Sequence, residues 1–341
     1  MTFKAGFDLG EALDLVTLCA LIEGHASLPP PAHWVMVYDS PEISLFTEKW
    51  QLWRNSEGVF AIAVRGTVPD PGSIAEDLIS FLAQAAGTVT VGSQRIGYKF
   101  AADPHASVHA GFALGALLLL KDPASGILAK LSSTVPQGSQ IYITGHSQGA
   151  AVGALLRSYL AYAPDRPADK NYTYKTYLFA QPKPGNDHYA CDFGNAFCNE
   201  GLAFRVTNSL DWVCQVPFTI EIPSDINTPN PLSAVTVPAS MALTALTGFG
   251  NELRKLIVER VRSRLQSKAD ALAQKLTHGA APGLAGHGFD IPIAPSLNFA
   301  NAATEIALTG TPCVGEECKD AFFEHHAATY YALMKAQLGQ G

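Results

Sequence analysis

The sequence predicts an α/β fold with a mostly parallel central sheet flanked by helices. Three observations carry that expectation. Residues 59–64 are continuously apolar (Val59, Phe60, Ala61, Ile62, Ala63, Val64), as in a strand buried on both faces. Residues 141–144 are β-branched or aromatic, and run through Gly145-His146-Ser147-Gln148-Gly149 into an Ala- and Leu-rich segment reaching Tyr162. Two more strand-like runs follow at 174–180 and 203–207, the first broken by Gln181-Pro182-Lys183-Pro184-Gly185.

Composition narrows the class. Hydrophobic residues make up 48% of the chain and charged residues 16%, the balance of a protein with a sizeable core. The net charge of −7 argues against a nucleic-acid partner. Residues 226–251 carry no charge, but Pro229, Pro231 and Pro238 with several Ser, Thr and Gly dilute them, so no integral membrane segment is expected. At the N-terminus, Asp8, Glu11 and Asp14 stand where a signal peptide needs an apolar core. The default location is therefore the cytoplasm, with secretion open if a signal has been removed. Cys191 with Cys198 and Cys313 with Cys318 are spaced to close small loops. A bridge across the first pair would contribute roughly 2.5 kcal/mol in the chain-entropy model. Neither pair is a zinc signature, because no second Cys or His pair stands at ligand spacing.

In chain order, residues 7–23 read as a first helix with Cys19 on its apolar side, ended by Pro29-Pro30-Pro31. Strand-like runs follow at 34–38, 43–46, 51–54 and 59–64. The last ends in Arg65-Gly66-Thr67. Residues 71–90, with Ile74, Leu78, Ile79, Phe81 and Leu82, read as an amphipathic helix, either a lid over a site or a packed surface helix. His109 opens a further helix reaching about Leu120.

The chemistry centres on Ser147. A strand, a Gly-x-Ser-x-Gly turn and a helix form the context of a nucleophile elbow, which presents a serine hydroxyl above a sheet edge. Side chains at Gly145 or Gly149 would collide where strand and helix approach. In such a hydrolase the oxyanion hole uses the amide of the residue after the nucleophile and a donor from an earlier strand end, here Gln148 and Thr67. By itself, Arg65-Gly66-Thr67 reads better as a plain turn after a strand. A carboxylate past a strand end can orient an imidazole, which points to Asp211 after the 203–207 strand, with Asp187, Asp192 and Asp225 as competitors. The base follows the acid in this chain order, which leaves His278, His287, His325 and His326 and makes His109 structural.

These pieces together resemble the class 3 lipase family, the fungal-type triacylglycerol lipases. The resemblance rests on Val64-Arg65-Gly66-Thr67, Val108-His109-Ala110-Gly111-Phe112, the 143–149 segment, Phe179-Ala180-Gln181-Pro182-Lys183-Pro184-Gly185-Asn186, and Arg205-Val206-Thr207-Asn208 running to Asp211, in the family's order. It implies an α/β-hydrolase fold with Ser147 as nucleophile and Thr67 plus Gln148 as oxyanion hole. The family's histidine a few residues before a tyrosine near the chain end selects His325, ahead of Tyr330, with His326 as the alternative base. The chain departs from the pattern at Gln148, where Leu is usual, at Ala150, where Gly is usual, and at Cys214, where the family's Asp-x-Val-Pro has Pro. A polar Gln148 side chain suggests a more polar pocket floor.

The stretch between Asp211 and His325 exceeds what a strand and a helix need. Residues 251–277 are helical in pattern, with Leu253, Ile257, Val261, Leu265 and Leu272 opposite a largely basic side. About 219–320 is therefore expected to be a helical cap inserted into one domain spanning 1–341; the same basic face would also suit an anionic interface. The expected function is a serine carboxylic-ester hydrolase of lipase type, acting on acylglycerols or related lipid esters with no metal or cofactor. Alternatives are a short-chain esterase or phospholipase on the same triad and, in another class, an inactive hydrolase-fold protein that binds a lipid or a partner. Oligomeric state is open.

Overall fold

The computed structural model describes residues 3–24, 28–43, 48–66, 81–91, 94–219, 225, 289–294, 296–315 and 319–339. The first helix, α1 (Leu9–Ile22), starts at Asp8, whose Oδ1 accepts the Glu11 N–H at 3.0 Å. This is the side-chain cap that an aspartate supplies to an unpaired first-turn amide. Strands β1 (Trp34–Asp39), β2 (Trp50–Asn55) and β3 (Phe60–Val64) follow, then the short β4 (Leu82–Gln84), β5 (Ala86–Val91), β6 (Gln94–Lys99) and β7 (Ser107–His109). Helices α2 (Ala110–Lys121) and α3 (Ile127–Thr134) lead into β8 (Gln140–His146), α4 (Gln148–Tyr162) and β9 (Thr173–Phe179). Beyond these lie β10 (Gly185–Asn186), α5 (Asp187–Phe193), β11 (Ala203–Asn208), β12 (Phe289–Asp290), β13 (Phe299–Ala300), β14 (Thr304–Leu308) and α6 (Ala327–Leu338).

The central sheet has the order β1-β2-β3-β8-β9-β11-β14. It is antiparallel across β1, β2 and β3 and parallel from β3 to β14. Each face of it is covered, and the alternation of side chains along the strands shows how. On β3, Phe60, Ile62 and Val64 enter one core while Ala61 and Ala63 enter the other; on β8, Ile141 and Ile143 face the first core and Tyr142 the second. Helices α2 and α4 fill the first core with residues such as Leu114, Leu117, Ala151 and Leu155. The second is closed by α1 and α6, through Leu15, Leu18, Cys19, Tyr330 and Met334. A strand buried on both faces needs no polar side, which explains the unbroken apolar run at β3. This arrangement, a mostly parallel sheet between helices with an elbow after β8, is an α/β-hydrolase fold.

Several expectations require correction. The helix expected over 71–90 does not extend through its C-terminal half: 82–84 and 86–91 are strands, and 71–80 lies outside the described residues. The reason is local. The helical spacing of apolar residues stops at Leu82, and the Thr88, Val89, Thr90, Val91 run favours an extended chain, which pairs with β6. The cap expected over about 219–320 falls largely outside the described residues. Its described C-terminal part is not helical, since β14 adds to the central sheet beside β11. The basic helix expected at 251–277, the uncharged 226–251 segment and the residues His278 and His287 also lie outside. No helix among the described residues is long and apolar enough to cross a membrane. Cys191 and Cys198 are unbridged. Both sit on one continuous helical stretch, α5 running into a π-helical turn at Gly194–Cys198. Seven residues of helix separate them by about 10 Å along the axis, beyond disulfide range. Cys318, the expected partner of Cys313, lies outside the described residues.

Candidate active site

The turn after β8 holds Ser147 at φ 56°, ψ −133°, a conformation that costs a residue with a Cβ of order 1–3 kcal/mol. The surroundings impose it. Gly145 pairs with Val64 of β3, and the Ser147 N–H donates to the Phe179 carbonyl at the end of β9 at 3.0 Å. A Cβ on Gly145 would strike the Gly149 backbone, and one on Gly149 would strike the Val64 carbonyl, so both flanking glycines are required by close approach. Gln148 is the first residue of α4, where backbone N–H groups have no partner within the helix. Its side chain turns to one side, with Nε2 donating to Oε1 of the buried Glu48 at 3.1 Å. The amide thus has a protein partner and need not add polarity to a pocket floor. Thr67 lies outside the described residues. Gly66, just before it, abuts the elbow: a Cβ there would lie 2.9 Å from the His146 carbonyl oxygen and 3.2 Å from the Ser147 Cβ.

Asp211 follows the end of β11 and is 1% exposed. It caps a short 3₁₀ turn, Oδ1 accepting the Val213 N–H at 2.9 Å. Its other oxygen, Oδ2, accepts from His325 Nδ1 and from the Tyr330 hydroxyl, each at 2.8 Å, with the Cys214 thiol at 3.5 Å. Burial pushes the Asp211 carboxyl up, but the facing imidazole and the donated hydrogen bonds outweigh it and hold the group below the usual carboxylate range. The same carboxylate and burial push the Cys214 thiol up.

His325 closes the 3₁₀ turn Phe323–His325 just before α6 and is buried. With Nδ1 donating to Asp211, its Nε2 is the ring atom left to exchange a proton. Burial draws its pKa down and Asp211 draws it up, while the neighbouring His146 draws it down again; the net position is below the ordinary histidine value. His325 is tied to the elbow through its backbone, because His146 Nε2 hydrogen-bonds the His325 carbonyl at 2.6 Å. The Asp211–His325 pair is thus joined to His146, the residue before Ser147, at the C-terminal end of β8, the kind of edge where parallel sheets carry their sites.

The competitors are placed elsewhere. His326 is 41% exposed at its side chain and pairs with Asp320 at 2.6 Å. His109 is buried, stacked on Phe112 at 3.7 Å, and its Nδ1 accepts the Phe112 N–H to cap α2, a structural role. Asp187 opens α5. Asp192 accepts the backbone N–H groups of Ala102 and Asp103, and Asp225 lines a cleft with His105 and His188. Among the described residues, no cluster of three or more His, Cys, Asp or Glu is set to hold a metal ion.

Residues 61–221 match the family model of the class 3 lipases. This stretch belongs to the class 3 lipase family. The protein is accordingly a lipase-type hydrolase. The class 3 lipase region runs from β3 past the loop carrying Asp211, so it contains Ser147 and Asp211, while His325 lies beyond it. Among solved structures, the chain resembles a triacylglycerol lipase described as having a serine-protease triad as its catalytic centre. They share 17% identity and a TM-score of 0.45, over 63% of this chain and 77% of that one. It also resembles a lipase from Rhizopus microsporus var. chinensis, with 18% identity and a TM-score of 0.44 over 64% of this chain and 73% of that one. A third is the Rhizomucor miehei lipase in complex with its propeptide, at 17% identity and 0.42, over 63% and 65%.

Sequence reasoning missed the hydroxyl of Tyr330 as a partner of Asp211, and missed Glu23, whose Oε1 lies 2.9 Å from His146 Nδ1. Tyr330 was visible only as a spacing mark after His325. Its hydroxyl accepts the Asn208 N–H at 3.1 Å and donates to Asp211, joining α6 to the end of β11. No one-dimensional signal announces such a contact.

Proposed function

We propose that the protein hydrolyses carboxylic esters of lipids through an acyl-enzyme, with Ser147 as nucleophile, His325 as base and Asp211 as the carboxylate that orients it. The Gln148 N–H and Thr67 complete the reading as oxyanion donors. The observation that carries the proposal is the buried Asp211–His325 pair at 2.8 Å, at the sheet edge where Ser147 stands on its elbow. In this scheme His325 takes the Ser147 proton as the hydroxyl attacks the ester carbonyl. The oxyanion is held by backbone donors, and the protonated imidazole then gives its proton to the departing alcohol. Water attacks the acyl-enzyme by the same route and returns the free serine.

Fluorophosphonate labelling of Ser147 tests the nucleophile, and complete absence of labelling in folded protein would restore the reading of an inactive lipid- or partner-binding hydrolase fold. Hydrolysis of nitrophenyl esters across chain lengths, with emulsified triacylglycerol, tests the substrate class. Activity on long chains and emulsions is expected. Activity confined to acetate and butyrate esters would make the protein a short-chain esterase.

The pH dependence has a definite sign. His325 must be neutral to accept a proton, and its pKa lies below the usual 6.5. The kcat/KM profile is expected to rise with pH through a midpoint below 6.5 and to be flat by neutrality. A midpoint above 7 would contradict the assignment of His325 as base.

A further inference from the structure

His146, the residue before the nucleophile, is buried with 5% of its side chain exposed, and both of its ring nitrogens are engaged. Nδ1 lies 2.9 Å from Oε1 of Glu23, at the C-terminal cap of α1. Nε2 lies 2.6 Å from the carbonyl oxygen of His325. A backbone carbonyl only accepts, so Nε2 must carry a proton. The Glu23 carboxyl, 10% exposed, faces Nδ1 and favours a second proton on the imidazole. The two acceptors on either side of the ring favour its cationic form beside the elbow.

We infer that His146 is a positioning residue, an imidazolium strut clamped between Glu23 and the His325 backbone, which fixes the base against the nucleophile and keeps the base neutral. The inference rests on the reading of His325 as the base. The strut joins three parts of the chain that are remote in sequence: the end of α1, the end of β8 and the turn before α6. Its ring lies 4.7 Å from the His325 ring, close enough for the two charges to repel. The charged and titratable groups facing His146 among the described residues are Glu23 from α1, Asp211 from the loop after β11, His325 from the 3₁₀ turn and Tyr330 from α6, its ring at 6.1 Å. Burial opposes the charge on His146, whereas Glu23, the His325 carbonyl and Asp211 favour it, and the favourable side prevails. The cation in turn draws the His325 pKa down, so the base stays free to accept a proton in mildly acidic solution.

Ring nitrogen-15 spectra of the full-length protein, with His146 identified by its loss in His146→Gln, give the charge directly. Both His146 nitrogens are expected to keep their protons to a higher pH than an ordinary histidine does, and Glu23→Gln is expected to bring that pH down. In His146→Gln the acid limb of kcat/KM should move up by about one pH unit. Its kcat should fall about tenfold with KM within twofold, because the base loses its anchor and the substrate pocket does not. A wild-type His146 ring that loses its proton no later than an ordinary histidine overturns the strut, as does an unmoved acid limb in a folded His146→Gln. Should that variant fail to fold, the wild-type and Glu23→Gln spectra decide alone. Turnover retained by His325→Ala sinks the assignment of the base, whereas an ordinary His146 ring sinks the strut with the base intact.

Discussion

Replacing Ser147 with alanine is expected to lower ester turnover by about 10⁶-fold, the scale on which a serine hydrolase loses rate when its nucleophile is removed. The residue sits at φ 56°, and alanine has the same backbone restriction as serine there, so the strain at the elbow is nearly unchanged by the substitution. The hydroxyl makes little contribution to the core, and the thermal midpoint should hold within a few degrees. The loss is thus separable from unfolding. Single-turnover hydrolysis of a chromogenic ester, measured beside a thermal melt, checks both halves. Turnover that persists at a tenth of the wild-type rate in a cleanly folded variant would remove Ser147 from the mechanism.

The second large effect separates two adjacent histidines. His325→Ala is expected to cost about 10⁴–10⁶-fold in kcat, because base and nucleophile act as one unit. His326→Ala should stay within about threefold, the scale of an ordinary surface substitution. The structure explains the contrast. The His325 ring is buried against Asp211, and its removal leaves that carboxylate, among the described residues, with Tyr330, Val213 and the weak Cys214 contact. The His326 ring is 41% exposed, with Asp320 as a surface partner and salt to screen the pair. Comparing kcat for the two variants at pH 7.5 is decisive, and equal losses would indicate a structural effect of the turn before α6 on both.

Much of this was legible along the chain. The apolar run at 59–64, the 141–149 strand-turn and the helix ending at Tyr162 were readable because their signals are local. A strand buried on both faces admits no polar residue, and a turn this tight admits only glycine at its flanks. Asp211 was legible as a carboxylate past a strand end. The strands at 82–91 were not, because the apolar spacing before them mimics a helix and their pairing partners β6 and β7 lie further along the chain. Nor was the fate of Cys191 and Cys198, whose short spacing suits a loop but not the helix that actually joins them.

By itself the sequence determined the fold class, the elbow and its serine, because hydrophobic periodicity and glycine requirements are written residue by residue. Between His325 and His326 it offered only a spacing drawn from family resemblance. The tertiary structure alone separated them, since one ring meets Asp211 inside the protein and the other meets Asp320 in water. It alone also brought Glu23 and Tyr330 to the site, from opposite ends of the chain. Hydrogen bonds between groups so far apart depend on how the sheet stacks its helices, and no local pattern in the sequence encodes that distance.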